Sequence, residues 1–225
     1  MFKQLFIWKK SKLPTWWLYY LDRQKSSPST GLSSEHHRFV IVDTETTGLN
    51  PDKAVLLSIA AFGLSRNSLT PGDHYSCIIR QQYKADPENV SIHGIMPDHS
   101  RAGIPESEAI QGFLKYCDNA IIVGHHIGFD LKYLNNSLQK LIPGARIKNK
   151  SIDIINLAQK LERHPNQVLT DEKAYSLDQL CNRYNIAPVE RHTAEGDAWV
   201  TGILFLKLLK KIRKGGWTKT RHLIR

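Results

Sequence analysis

Two rhythms of apolar and polar residues run along this chain. Phe39-Val-Ile-Val42 is an uninterrupted apolar run ending on Asp43, the pattern of a buried strand. Asn50-Pro51 marks a turn, and Val55–Leu64, closed by Ser65-Arg-Asn67, predicts a second strand. His74–Arg80 predicts a third. Residues 106–118 switch to helical spacing, with Ile110, Phe113 and Leu114 on one side. Ala120–Val123 predicts a fourth strand, followed at once by Gly124-His-His126 and a helix from about residue 128 to Leu141. Ile152-Asp153 opens another helix to Glu162, and the capping-box spacing Ser176-Leu-Asp-Gln179 starts one that runs to about Tyr184. Glu195–Lys211 is a long helix, apolar through Trp199, Ile203, Leu206 and Leu209. Strands first and then alternating helices predict an α/β fold with a mixed central sheet, and there is no internal repeat.

The length of 225 residues fits one domain with terminal additions. Residues 1–34 read as a basic, aromatic-rich extension and linker, 35–212 as the domain, and 213–225 as a basic tail. With 41% hydrophobic and 23% charged residues and no low-complexity tract, collagen-like, mucin-like and wholly disordered chains are excluded. Cys77, Cys117 and Cys181 lie far apart with no CxxC spacing, so neither a disulfide framework nor a cysteine zinc site is expected, and a reducing cytoplasm fits.

The net charge of +10 is concentrated at the ends: +4 over residues 1–37, +8 over 206–225, and −2 over the body between them. Such ends attract a polyanion, either nucleic acid or an anionic membrane surface, or serve as solvated tails. Residues 1–25 carry Phe2, Phe6, Trp8, Trp16, Trp17, Tyr19 and Tyr20, yet no apolar run approaches the ~20 residues of a membrane span. Lys9, Lys10 and Lys12 interrupt any export-signal core, and Pro14 splits the segment into two short amphipathic pieces. Packing on the domain itself is the expected role of these pieces. Contact of residues 1–25 with a membrane surface is the alternative.

The acids carry the chemistry. Asp43 and Glu45, two apart at a strand end, point to one face while Thr44 points to the other. Two carboxylates so close repel unless a cation or a proton lies between them. Asp130 follows a strand end in GHHIGFD (124–130), and His192 and Asp197 stand five apart in HTAEGDA (192–198), one before the last helix and one on its first turns. Taken singly, each acid reads as a cap or turn residue. Together, four carboxylates with no lysine or arginine interleaved make an oxygen-only site suited to two divalent cations, Mg²⁺ or Mn²⁺, which can hold the attacking water and the leaving oxygen of a phosphoryl displacement. Histidine is the side chain whose unperturbed pKa lies near working pH, so His192 would take the proton from the water.

At these residues the chain resembles the DEDDh 3′–5′ exonucleases, typified by the proofreading epsilon subunit of DNA polymerase III. VDTETTGLN (42–50) is similar to the first motif of that family, GHHIGFD to the second and HTAEGDA to the third. SIHGI (91–95) resembles a segment that contacts the terminal nucleotide. The likeness spans roughly residues 38–210, and three motifs in order make it specific. It implies that Asp43, Glu45 and Asp197 hold one metal, that Asp43 and Asp130 hold a second, and that His192 is the general base. It also implies that Thr46, Leu49, Ile92, His93 and Phe129 line the pocket for the 3′-terminal nucleotide. The implied fold is ribonuclease-H-like, a five-stranded mixed sheet flanked by helices, and the implied reaction releases nucleoside 5′-monophosphates from a 3′ end. His126 replaces the usual asparagine of the substrate-binding segment, Ser58 replaces an acid in the second strand, and Asp153 matches a commonly acidic position read as supporting.

Single-stranded or mismatched DNA ends are the expected substrate, in proofreading or repair. RNA trimming and a non-catalytic nucleic-acid-binding module are the alternatives. A stand-alone or accessory enzyme is expected over the replicative subunit. Gln4-Leu-Phe-Ile-Trp8 faintly resembles a sliding-clamp-binding peptide, which makes a clamp or a DNA polymerase a further candidate partner.

Overall fold

The computed structural model describes residues 13–26, 28–83, 86–162 and 172–224, without the side chains of residues 88, 89 and 92. The clamp-like peptide 4–8 and most of the first amphipathic piece lie outside the described residues.

Five strands form one mixed sheet in the order β3-β2-β1-β4-β5: β1 Phe39–Thr46, β2 Leu56–Ser65, β3 Ser68–Ile78, β4 Ile121–Gly124 and β5 Ser151–Asp153. Strands β1, β4 and β5 run parallel, while β2 pairs antiparallel with both β1 and β3. The carboxyl ends of the three parallel strands therefore share one edge, where ligands of open α/β sheets bind. That is the mixed five-stranded sheet which the motif resemblance implies.

Two differences from the sequence reading stand out. Strand β5 occupies residues 151–153, of which Ile152-Asp153 were expected to open a helix; the helix begins at Ile154. Three residues are too few to show a period, and only the pairing of Ile152 with Val123 identifies them as strand. Strand β3 also starts six residues earlier than expected. The added residues include Pro71 and Gly72, which lie on an edge strand, where a proline removes no ladder hydrogen bond, beside the irregular register between Phe62 and Leu64.

The two faces of the sheet bury separate cores. Phe39 and Ile41 pack beneath α6 (Ile154–Glu162), α7 (Leu177–Arg183) and the long α8 (Ala194–Lys214). Val40 and Val42 pack on the opposite face beneath α4 (Glu106–Cys117) and α5 (Ile127–Leu141). Two short helices that spacing did not reveal, α2 (Pro87–His93) and α3 (Pro97–Arg101), lie between β3 and α4.

The chain before residue 35 adds to the second core. Helix α1 (Thr15–Gln24) buries Trp17 and Tyr20 there, with their rings stacked at 5.0 Å. Tyr20 donates to Asn149 Oδ1 (2.7 Å), and Arg23 forms a bidentate pair with Asp118 (2.7 Å for each bond). The stretch 28–34 is hydrogen-bonded to the C-terminal segment: Thr220 and Arg221 N–H donate to the carbonyls of Leu32 and Thr30 (3.0 and 2.8 Å). Leu223 closes the first core.

Removing a buried indole leaves a cavity and forfeits its contacts. Trp17→Ala is therefore expected to lower stability by about 3 kcal/mol, read as a shift of the urea midpoint at unchanged slope. A midpoint equal to wild type would mean that α1 is an appendage rather than part of the core.

Candidate active site

The site is built on the carboxyl end of β1. Asp43 and Glu45 continue the face that carries Ile41, toward α8, and Thr44 continues the face of Val42, toward α5. Thr44 is buried, and its hydroxyl donates to Asp130 Oδ1 at 2.7 Å. Asp130 thus reaches the site from the opposite side of the sheet, fixed by the residue between the two acids. The alternation that pointed Thr44 away from its neighbours also aims it at Asp130; its role went unread because its partner lies 86 residues away.

Asp43, Glu45 and Asp130 are within electrostatic reach of one another. Burial, then the charges of Asp130 and Glu45, push the Asp43 carboxyl well above the ordinary carboxylate range. Burial and Asp130 push Glu45 up to about 7. Burial raises Asp130 too, partly offset by the Thr44 hydrogen bond. Opposite Glu45 in the register stands Ser58, so the second strand adds no further negative charge there.

Asp197 comes from the first turn of α8. Ala194 and Ala198 pack against Ala60 of β2, and these small side chains let the helix approach the sheet closely. Gly196 is required: a Cβ there would stand 2.1 Å from the carbonyl oxygen of Glu190. The loop so held contains Glu190 and His192, both in the left-handed region (φ 46° and 64°).

Within that loop lies the residue the motifs did not reveal. Arg191 pairs with Asp197 through Nη1 and with Asp178 Oδ1 through Nε (2.7 Å), and its charge acts on Asp43 and Glu45 as well. The expectation of carboxylates without an interleaved arginine is thus corrected: a guanidinium stands among them. Its signal was present, since Arg191 directly precedes the motif histidine. Asp197 faces this arginine, and among the described residues no three acids or histidines close around a single point in this conformation. His192 is exposed beside the site, and its backbone N–H donates to Asp197 Oδ1 (3.3 Å).

The donor set nevertheless fits a divalent cation. It is oxygen-only, and its members are held together against mutual repulsion that a cation would relieve. Asp153 lies at the end of β5, accepts from Ile155 N–H (2.9 Å) as a cap for α6, and acts on Asp130 only through its charge.

The expected nucleotide-pocket residues divide. Thr46 is buried and donates to the Gly48 carbonyl (2.8 Å), which also accepts from Tyr133 (2.6 Å); the Tyr133 ring packs against Phe129 at a tilt, with centres 4.8 Å apart. These contacts join Thr46 and Phe129 into one wall. Leu49 stands beside it at the loop tip, 84% exposed. His93 is buried, accepts from Ile95 N–H at Nδ1 (3.0 Å), and leaves Nε2 without a partner. Burial depresses its pKa, which keeps the ring neutral with Nε2 as the donor. The side chain of Ile92 lies outside the described residues. His126 is exposed and left-handed (φ 56°) as the N-cap of α5. Asparagine and histidine both tolerate that backbone, which accounts for a histidine where asparagine is usual.

A family model described as exonuclease, of the RNase T type, matches residues 40–205. A DNA polymerase III of PolC type from Thermotoga petrophila is 29% identical over 187 residues, covering 83% of this chain and 13% of the relative. A DNA polymerase III subunit epsilon-like protein from Rhodobacter capsulatus is 29% identical over 183 residues, covering 80% of this chain and 25% of the relative. The chain thus spans between an eighth and a quarter of these relatives. Among solved structures, the zinc-bound complex of E. coli exonuclease I with single-stranded DNA superposes with a TM-score of 0.67 at 20% identity, over 80% of this chain and 42% of that one.

The raised carboxyl pKa values mean that the folded chain binds these protons more tightly than the unfolded chain. Metal-free stability therefore rises as the pH falls from about 7 toward the ordinary carboxylate value, and is lost as the pH climbs back. Asp43→Asn removes one repelling charge at constant shape. In EDTA near pH 7.5 it is expected to melt above wild type, by about 2–4 °C for each kcal/mol of repulsion relieved, with the gap narrowing near pH 5. Calorimetry that found the variant melting at or below wild type at pH 7.5 would contradict this electrostatic account.

Proposed function

The chain belongs to the RNase T exonuclease family, and from that premise we propose that it is a divalent-metal-dependent 3′–5′ exonuclease of the DEDDh type that removes nucleoside 5′-monophosphates from DNA ends, single-stranded or mismatched. The observation that carries the reading is the electrostatic coupling of Asp43, Glu45 and Asp130 at the end of β1, with Thr44 fixing Asp130 from the far face of the sheet. The three motifs stand in family order within the matched span.

In this reading Asp43, Glu45, Asp130 and Asp197 would hold two Mg²⁺ or Mn²⁺ ions, which supply Lewis-acid stabilisation of the charge developing on the phosphoryl oxygens. The wall of Thr46, Gly48, Phe129 and Tyr133 receives the terminal nucleotide, with exposed Leu49 against its base and His93 Nε2–H as a donor to its polar edge. His126 contributes by setting the backbone at the start of α5. His192, exposed on its loop, takes the proton from the attacking water at an imidazole nitrogen. Arg191 holds the Asp197 carboxylate between its own guanidinium and the His192 N–H, so the carboxylate is oriented before any cation arrives.

Cytoplasmic action fits this substrate; among the described residues no helix is long and apolar enough to cross a membrane. DNA polymerase III is the partner that the names of the relatives suggest, and co-purification with that polymerase tests it.

The direct test uses 5′-labelled single-stranded DNA, matched RNA, and duplex with a mismatched 3′ end, each with Mg²⁺ or Mn²⁺. Wild type is expected to give a ladder shortening from the 3′ end, strongest on DNA. Asp43→Ala is expected to abolish it, and His192→Ala to slow it about 10²–10⁴-fold while metal binding persists. A ladder from Asp43→Ala equal to wild type would falsify the assignment. A stronger ladder on RNA would move the substrate to RNA, where contact with a 2′-hydroxyl decides.

A further inference from the structure

We propose that the C-terminal segment forms a second binding site, for the single strand that leads into the carboxylate site, with Trp217 as a platform for one of its bases. This rests on the exonuclease reading and adds to it the route taken by the substrate.

The site is a cavity of about 480 Å³ on the outer side of β5, bounded by Gly128 at the start of α5, by Asp153, by Asn156 and Lys160 of α6, and by His222. Its inner end adjoins the carboxylates, since Asp153 acts electrostatically on Asp130. The wall assigned to the terminal nucleotide is built around Gly48 and Tyr133, and neither lines this cavity. A strand whose last phosphate sits at the carboxylates must leave away from that wall, and the cavity is a route that avoids it. Gly128 is exposed there, with nothing near the position of a Cβ.

The outer end carries the groups that bind a strand without reading its sequence, aromatic faces and cations. The Lys160 ammonium stands 4.7 Å from the centre of the Trp217 ring and donates to the His222 carbonyl (2.8 Å). Trp217 keeps 38% of its surface exposed and lies 6.3 Å from the His222 ring, whose Nδ1 is buried without a hydrogen-bond partner. Lys210, Lys211, Lys214, Lys219 and Arg221 are exposed on the same C-terminal stretch, where there is no acid.

The backbone fixes this platform. Helix α8 is capped by Gly215, and Gly216, left-handed at φ 84°, turns the chain so that Trp217 N–H donates to the Ile212 carbonyl (3.1 Å) and Gly216 N–H to that of Arg213 (2.9 Å). This helix-ending motif needs glycine at the left-handed position. Lys160 lies seven residues beyond Asp153, about 10 Å along the helix, the length of about three stacked nucleotides at ~3.4 Å each. A lipid surface would also welcome a tryptophan among lysines, but a cavity lined by Asn156, Lys160 and His222 and leading to the carboxylates matches a strand.

The test compares wild type, Trp217→Ala, Trp217→Phe and Lys160→Met on two kinds of ligand. Twelve-residue oligothymidylate and oligouridylate reach the platform, whereas the p-nitrophenyl ester of thymidine 5′-monophosphate reaches only the carboxylate site. Binding of the oligomers is read by fluorescence anisotropy in EDTA, and hydrolysis of both kinds with Mn²⁺. Trp217→Ala is expected to weaken oligomer binding and raise its KM at least about five-fold, the lower end of what stacking one base contributes. Lys160→Met is expected to weaken it in the same direction. Trp217→Phe should stay near wild type, and all variants should hydrolyse the ester within about two-fold of wild type. Unchanged oligomer binding in Trp217→Ala, an equal loss in Trp217→Phe, or an equal loss on the ester would each overturn the proposal. So would anionic vesicles that bind wild type but not Trp217→Ala while oligomer binding stays the same. Should wild type hydrolyse nothing, the exonuclease reading fails; the anisotropy alone then decides whether Trp217 holds a strand.

Discussion

Bringing Asp43, Glu45 and Asp130 together at the end of one buried strand sets like charges where water screens them poorly, and neighbouring elements are arranged around that cost. The three acids arrive on two supports: two on alternate positions of β1 and one across the sheet on the first turn of α5. The Thr44 hydroxyl holds Asp130 because its position on β1 points it to the face that α5 covers. A substitution there would leave both motif acids in place and still lose the third. Arg191 meets the same cost from the other side, as a positive charge that acts on Asp43 and Glu45 and fixes Asp197.

The long helix α8 transmits this arrangement across the molecule. Its N-terminal turn approaches the sheet through Ala194 and Ala198, and the missing side chain of Gly196 lets the 190–192 loop lie against it. Leu204, Phe205, Leu208 and Leu209 then bury the rest of the helix on the first core. The position of Asp197 is therefore set by an interface of several turns, not by the local loop. At the far end, Arg213 donates to the Ser34 hydroxyl (2.7 Å), so the segment before β1 is tied to the helix that faces β1, while Lys150, just before β5, donates to the carbonyl of Pro28 (2.6 Å).

What the sequence disclosed depended on whether the signal was local. Strands β1, β2 and β4 and helices α4, α5 and α8 followed from continuous apolar runs or helical spacing within a dozen or so residues, and Ser176 caps α7 as its box spacing predicts, accepting from Gln179 N–H. Strand β5, the early start of β3 and the two short helices were hidden because pairing or compactness, not periodicity, creates them. The site divides in the same way. Asp43, Glu45, Asp130 and Asp197 were identifiable as candidates because motif spacing and strand alternation are properties of the chain. Thr44 and Arg191 were not, because what they do depends on partners brought close only by folding.

His126 shows how backbone and chemistry become entangled at one position. The chain must turn sharply from β4 into α5 so that Asp130, four residues on, faces back across the strand end. The residue at the turn is left-handed, a conformation that costs most residues free energy but that asparagine and histidine adopt more readily. Its exposed ring makes an edge contact with His125 at 5.1 Å, while His125 itself is tied to the Tyr175 carbonyl (2.8 Å). The replacement of asparagine by histidine is thus conservative in backbone and not in side chain. The geometry that presents Asp130 survives it, and a larger ring now stands at the mouth of the site.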